Sequence, residues 1–174
     1  GEGRNLNKSP YATTTKGGVT FTVNSDNSIA LSGSPTGDVW LLQNSKTVGS
    51  RFFLPAGTYH LSVTPNYVIG NQSQMFASLA LFETNESTSA IKSHMAGGDG
   101  VTVTTETDTY AVVNICVAGT AGVVDGYTIK AQLEEGTTAT EYVSPWASGI
   151  RSKRLDDLEA GIEKTAAYLM DSPL

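Results

Sequence analysis

Trp40, His60, Tyr67, Tyr110, Asn114 and Gln132 are the side chains of this sequence best suited to hold a ligand. A sugar is gripped by an aromatic face laid against its C–H bonds, with side-chain donors and acceptors around the rim. On strands that alternate in and out, Trp40 stands with Asp38, Tyr110 with Asn114, and Lys130 with Gln132, while His60 lies on the polar side of its own strand. If those strands are neighbours in one sheet, they make an aromatic cleft bearing amides. Tyr67, beside Asn66 in a polar loop, is a second candidate patch. Each residue also has a plainer reading. Trp40 precedes Leu41 and Leu42 and fits a core indole, and Asn114 between apolar neighbours fits a buried amide with its hydrogen bonds satisfied. His60 fits a sheet-face residue without chemistry.

Catalytic chemistry is poorly supplied. Glycoside hydrolysis needs two carboxyl groups about 5–9 Å apart. Glu134 and Glu135 are sequence neighbours, so on a strand they point to opposite faces. Nucleophile-elbow, zincin and P-loop patterns are missing from the sequence. Cys116, the single cysteine, lies in an apolar run and fits an inert small residue. The sequence therefore predicts a non-catalytic protein without a resident cofactor. A structural calcium ion held by carboxylates and backbone carbonyls is an option, to which Asp99, Asp125 or Glu134 could contribute.

Composition narrows the partners. The chain has 174 residues and a net charge of −6, with no cluster of Lys and Arg, which speaks against nucleic acid. No apolar run approaches the ~18 residues of a membrane-spanning helix, so membrane insertion is not expected. The opening residues lack a basic stretch followed by an apolar one, and no signal peptide is expected. Thr is frequent, at 22 residues, and 18 Gly punctuate the chain, a bias toward strands and turns.

The periodicity agrees. Residues 1–18 read as an irregular N-terminal entry. Val19–Val23 alternates with period two and Ser28–Ser32 returns as its hairpin partner. Further strands are expected at Asp38–Gln43, Arg51–Leu54, Thr58–Thr64, Met75–Glu83, Val101–Thr104, Thr109–Val117 and Tyr127–Glu134. Residues 84–100 read as a long loop, and Thr140 to Tyr142 as a returning edge strand. Short strands at such spacing predict an all-β jelly-roll sandwich over residues 19–148.

The tail changes class. Residues 151–174 hold nine charged side chains, against nineteen in the first 150. Leu155, Leu158, Ile162, Thr165 and Leu169 repeat at heptad a and d spacing, predicting a C-terminal α-helix over 150–171. Three readings stay open: the helix packs on its own domain, it associates with copies of itself (as a trimer in preference to a dimer) through Leu155, Leu158, Ile162 and Leu169, or the tail is disordered.

Several stretches carry a resemblance. They are Asn5–Tyr11, Gly18–Asn24 with Asp26–Gly33, Leu54–Ser62, and the closing Gln132–Tyr142. Together they resemble the jelly-roll modules of phage and prophage tail proteins, which are similar to carbohydrate-binding modules of secreted bacterial enzymes. The likeness spans about residues 5–146. It implies a binding or structural module of a virion tail, or an extracellular one, facing a bacterial surface glycan and other virion tail proteins. A spacer or assembly domain, and a binding module of a secreted glycosidase or adhesin, are the alternatives it leaves open. At the end of the motif this chain has Tyr142-Val-Ser-Pro-Trp146, which keeps the aromatic and proline character but names no ligand.

Overall fold

The computed structural model describes residues 4–65, 68–69 and 72–146. The expected C-terminal helix, its heptad residues Leu155, Leu158, Ile162 and Leu169, and the Asn66–Tyr67 patch lie outside the described residues.

Thirteen strands are described: β1 (Thr14–Lys16), β2 (Val19–Val23), β3 (Ile29–Gly33), β4 (Val39–Trp40), β5 (Phe52–Leu54), β6 (Gly57–Thr64), β7 (Val68–Ile69), β8 (Gln72–Ser73), β9 (Met75–Phe82), β10 (Lys92–Ala96), β11 (Val101–Thr105), β12 (Thr109–Val117) and β13 (Thr128–Glu135). They form an all-β sandwich of two antiparallel sheets. One runs β1-β2-β3-β13-β6-β11, the other β10-β9-β12-β4 with β5 also on β12, and β7 and β8 pair as a small separate hairpin. The chain changes sheet between β3 and β4, β5 and β6, β6 and β9 (by way of the β7–β8 hairpin), β10 and β11, β11 and β12, and β12 and β13.

Alternation explains which side chains meet. Phe21, Ile29, Leu61, Ile129 and Leu133 project from the six-stranded sheet onto Leu79, Val113, Ile115 and Leu54 of the other, all nearly solvent-free. Each such side chain stabilises the fold by about 1.5–3 kcal/mol relative to exposure. β9 and β12 are apolar on both faces because their outer sides are covered as well: Ala80, Phe82 and Val112 form a second small cluster beneath Leu42, Ala90 and Tyr110.

Several expectations need correction. The strand read at Asp38–Gln43 spans only Val39–Trp40, after which the chain turns into a short 3-10 helix over Asn44–Lys46. The loop read at 84–100 contains β10, which pairs with β9 along its length. No strand forms at Thr140–Tyr142. The first eighteen residues include β1, joined to β2 by Gly17-Gly18. Both glycines have positive φ, +57° and +84°, as a two-residue hairpin turn of this hand requires.

The N-terminal strap at residues 5–11 forms no strand, yet it is deeply built in. Past Ile129, β13 loses β3 as a neighbour. The strap takes that place: the Leu6 amide donates to the Leu133 carbonyl, the Leu133 amide to Asn5 Oδ1, and Asn7 Nδ2 to the Ala131 carbonyl. On the other sheet, β4 and β5 leave a gap along β12. There the Val113 amide donates to Ser9 Oγ, and the Tyr11 hydroxyl donates to the Val113 carbonyl at 2.6 Å. Asn7 ties the halves together, since Nδ2 also donates to the Tyr11 hydroxyl and Oδ1 accepts from Ser9. Burial holds the Tyr11 phenol well above its ordinary pKa, the hydrogen bonds from Asn7 and Ser9 only partly opposing it.

Asn7→Ala should lower unfolding free energy by about 2–4 kcal/mol, because it strands the buried Ala131 carbonyl of β13 and the Ser9 and Tyr11 groups that hold the strap to β12. Urea unfolding checks this against Thr138→Ala, an exposed change expected to stay within about 0.5 kcal/mol.

Candidate functional site

After β4 the chain crosses the outer face of the five-stranded sheet as a second strap, residues 41–51. The Leu41 amide still donates to the Ile115 carbonyl of β12, but beyond it the segment leaves the strand ladder and its peptide groups need other partners. Asn114 supplies them from β12. Its Oδ1 accepts from the Leu42 amide and its Nδ2 donates to the Leu42 carbonyl, both at 2.8 Å. Arg51 pins the far end. Its guanidinium lies 3.5 Å from the centre of the Phe82 ring and donates to Thr47 Oγ1, the Thr84 carbonyl and the Asn44 carbonyl.

The strap raises one wall of a groove of about 650 Å³. Ser78 and Ala80 of β9 and Asn114 of β12 line it from the sheet; Ser93 and Met95 come from β10, and Leu42, Gln43 and Asn44 from the strap. Asp38, Trp40, Lys16 and Gly17 line it too. Trp40 is half-buried, neither a full core indole nor a free platform, and its ring meets Phe76 edge-on with centroids 5.5 Å apart. A smaller groove of about 520 Å³ lies beyond the strap, lined by Lys16, Lys46, Thr14, Gln43 and Ser50 among others. Lys16, Leu42 and Gln43 belong to both.

The candidate residues fall on opposite faces of the sandwich. Trp40 and Asn114 share the first groove. Tyr110 is on the same strand as Asn114, but it packs edge-on against Phe53 and is not among the groove residues. His60 and Gln132 belong to the six-stranded sheet, on β6 and β13. His60 is buried, with Nδ1 2.9 Å from Thr102 Oγ1, and Gly100 closes over its ring so tightly that a Cβ there would lie 2.8 Å from Nε2. The single cleft expected from strand alternation is therefore two separate regions.

Gln132, expected on the polar face of its strand, is buried beneath the closing segment together with Glu134. Gln132 donates to the Thr140 and Glu141 carbonyls and accepts from the Val143 amide. Glu134 accepts from the amide and hydroxyl of Thr140. These are the hydrogen bonds that an edge strand would otherwise have made with its own backbone. Among the described residues no three His, Cys, Asp or Glu side chains come together. Asp125 accepts from the Gly33 amide at 2.7 Å.

Sequence reasoning missed Lys16, Met95 and the 41–51 strap as groove elements. The Gly17-Gly18 pair flanked by Thr-rich stretches was the available signal for β1 and hence for Lys16. No family model, curated protein or solved structure matches the chain.

Asn114→Ala should cost about 1–3 kcal/mol, because the Leu42 peptide loses both partners. Amide exchange followed by NMR should show Leu42 exchanging faster while the Leu61 amide in β6 keeps its protection relative to global stability. Cys116, opposite Trp40 in the β4–β12 register, is fully buried. Burial, with a smaller push from Asp38, drives its thiol up from 9.0 to about 12. The folded protein then keeps a proton that the unfolded chain releases, so this contribution is lost as pH rises from about 9 toward 12. Unfolding measured across that window should show the wild type losing stability relative to Cys116→Ala.

Proposed function

We propose that this chain is a non-catalytic binding module of a phage or prophage tail protein, presented outside the cell to recognise host surface carbohydrate. The two-sheet sandwich is read as a jelly roll, in keeping with its repeated crossings between sheets. One observation carries the reading. The groove over the five-stranded sheet sets the indole of Trp40 and the thioether of Met95 among the polar side chains of Asp38, Gln43, Ser78 and Ser93. Apolar surface with polar groups at its rim suits a sugar, whose faces are C–H and whose edge is hydroxyl. The groove is open, which suits an internal stretch of a polymer and modest single-site affinity. Several copies on one tail would raise that affinity through avidity.

A second reading is an assembly domain contacting other tail proteins. Exposed apolar side chains favour it: Ile91 beside β10, Met95 within it and Phe53 on β5 are each more than half exposed.

An array of bacterial cell-wall and capsular polysaccharides, printed densely to exploit avidity, separates the two. Specific binding that falls at least tenfold in Trp40→Ala, with unfolding still cooperative, is the expected result. A blank array with folded wild-type protein favours assembly.

A further inference from the structure

The two grooves on either side of the 41–51 strap differ in charge. The first holds one carboxylate, Asp38, and one ammonium, Lys16. Asp38 is already engaged, since its Oδ1 accepts from the Gly119 amide at 2.8 Å. The second groove is lined by Lys16 and Lys46 and, among the described residues, by no acidic side chain. That is a local excess of positive charge on a chain whose net charge is −6. Neither lysine forms a salt bridge with a described carboxylate. Lys16 is half-buried and Lys46 is exposed, so both ammonium groups are available from solvent.

The placement follows from the fold. Lys16 is the last residue of β1, held at the sheet edge by the two-glycine turn to β2. Lys46 ends the 3-10 turn of the strap, which Asn114 and Arg51 fasten to the sheet. The ridge between the grooves is Leu42 and Gln43, so a chain lying across it has Trp40 and Met95 on one side, Lys46 on the other, and Lys16 where the two grooves meet.

We infer that the glycan recognised here is anionic: a polysaccharide bearing carboxylate or phosphate groups, with a sugar ring in the Trp40 groove and its acidic group between Lys16 and Lys46. This assignment rests on the carbohydrate-binding reading above and specifies its ligand class. Carboxylate and phosphate present the same oxygen acceptors to a lysine, and their source is decided by the probe.

The test uses the full chain on an array that contains neutral, uronate-bearing and phosphate-bearing bacterial polysaccharides, with carboxyl-reduced forms of the uronate polymers. The wild type should bind an acidic class and lose at least tenfold on the carboxyl-reduced form or on neutral polymers. The double variant Lys16→Ala, Lys46→Ala should lose a similar factor, while Lys16→Arg, Lys46→Arg retains most binding. Raising salt from 50 to 300 mM should weaken the wild type more than the alanine variant, because screening acts on the charge contacts alone. Preference for the uronate or the phosphate class identifies the source of the anion. Trp40-dependent binding to neutral polymers that ignores both lysines overturns the anionic assignment and leaves carbohydrate recognition standing. Absence of binding to every class overturns both.

Discussion

A peptide segment that lies across a sheet edge without joining the ladder brings N–H and C=O groups out of water with no strand to receive them. Three segments of this protein do so over most of their length, and side chains largely stand in for the missing strands. The N-terminal strap uses Asn5 and Asn7 against β13 and Ser9 and Tyr11 against β12. The 41–51 strap uses Asn114, and the closing segment uses Gln132 and Glu134. A carboxamide carries both a donor and an acceptor, so it can replace one residue of backbone in both directions. The sandwich depends on this substitution, because among the described residues both sheets have a flank that no strand completes.

The same constraint shapes the outer surface. The grooves exist because the 41–51 strap stands on the sheet, held in place by Asn114 near its start and Arg51 at its end. Lys16 and Trp40 then face the strap from a hairpin end and a two-residue strand, and Met95 from an edge strand. The opposite face of the sandwich receives the closing segment instead, which buries Gln132 and Glu134. Two sheets of similar strand pattern thus end with unlike exteriors. The irregular segments laid on them decide which surface is open.

Much of the core was legible from alternation. Tyr59, Leu61 and Val63, then Ala111, Val113, Ile115 and Val117, are buried as their period-two spacing indicates. The plainer reading of Asn114 as a satisfied buried amide also describes what it does, while its position at the wall of a groove was not visible in its neighbours. Gln132 shows the limit from the other side. It sits at a polar position of a clean alternation, yet it is nearly solvent-free, because its cover comes from residues eight to eleven positions later that form no strand. Lys92–Ala96 was hidden because an edge strand with one open side needs little apolar character to pair.

The amino-acid sequence by itself determined an all-β chain of short antiparallel strands and most of the inward-facing side chains, since turn residues and period-two alternation are local properties. Only the tertiary structure decided that Trp40 and Asn114 meet while His60 and Gln132 lie on the other face, and that Lys16 joins Lys46. Those relations depend on which strands become neighbours and where non-repeating segments cross them. Both are set by long-range pairing and by side-chain hydrogen bonds between residues as far apart as Ser9 and Val113. No local pattern carries that information.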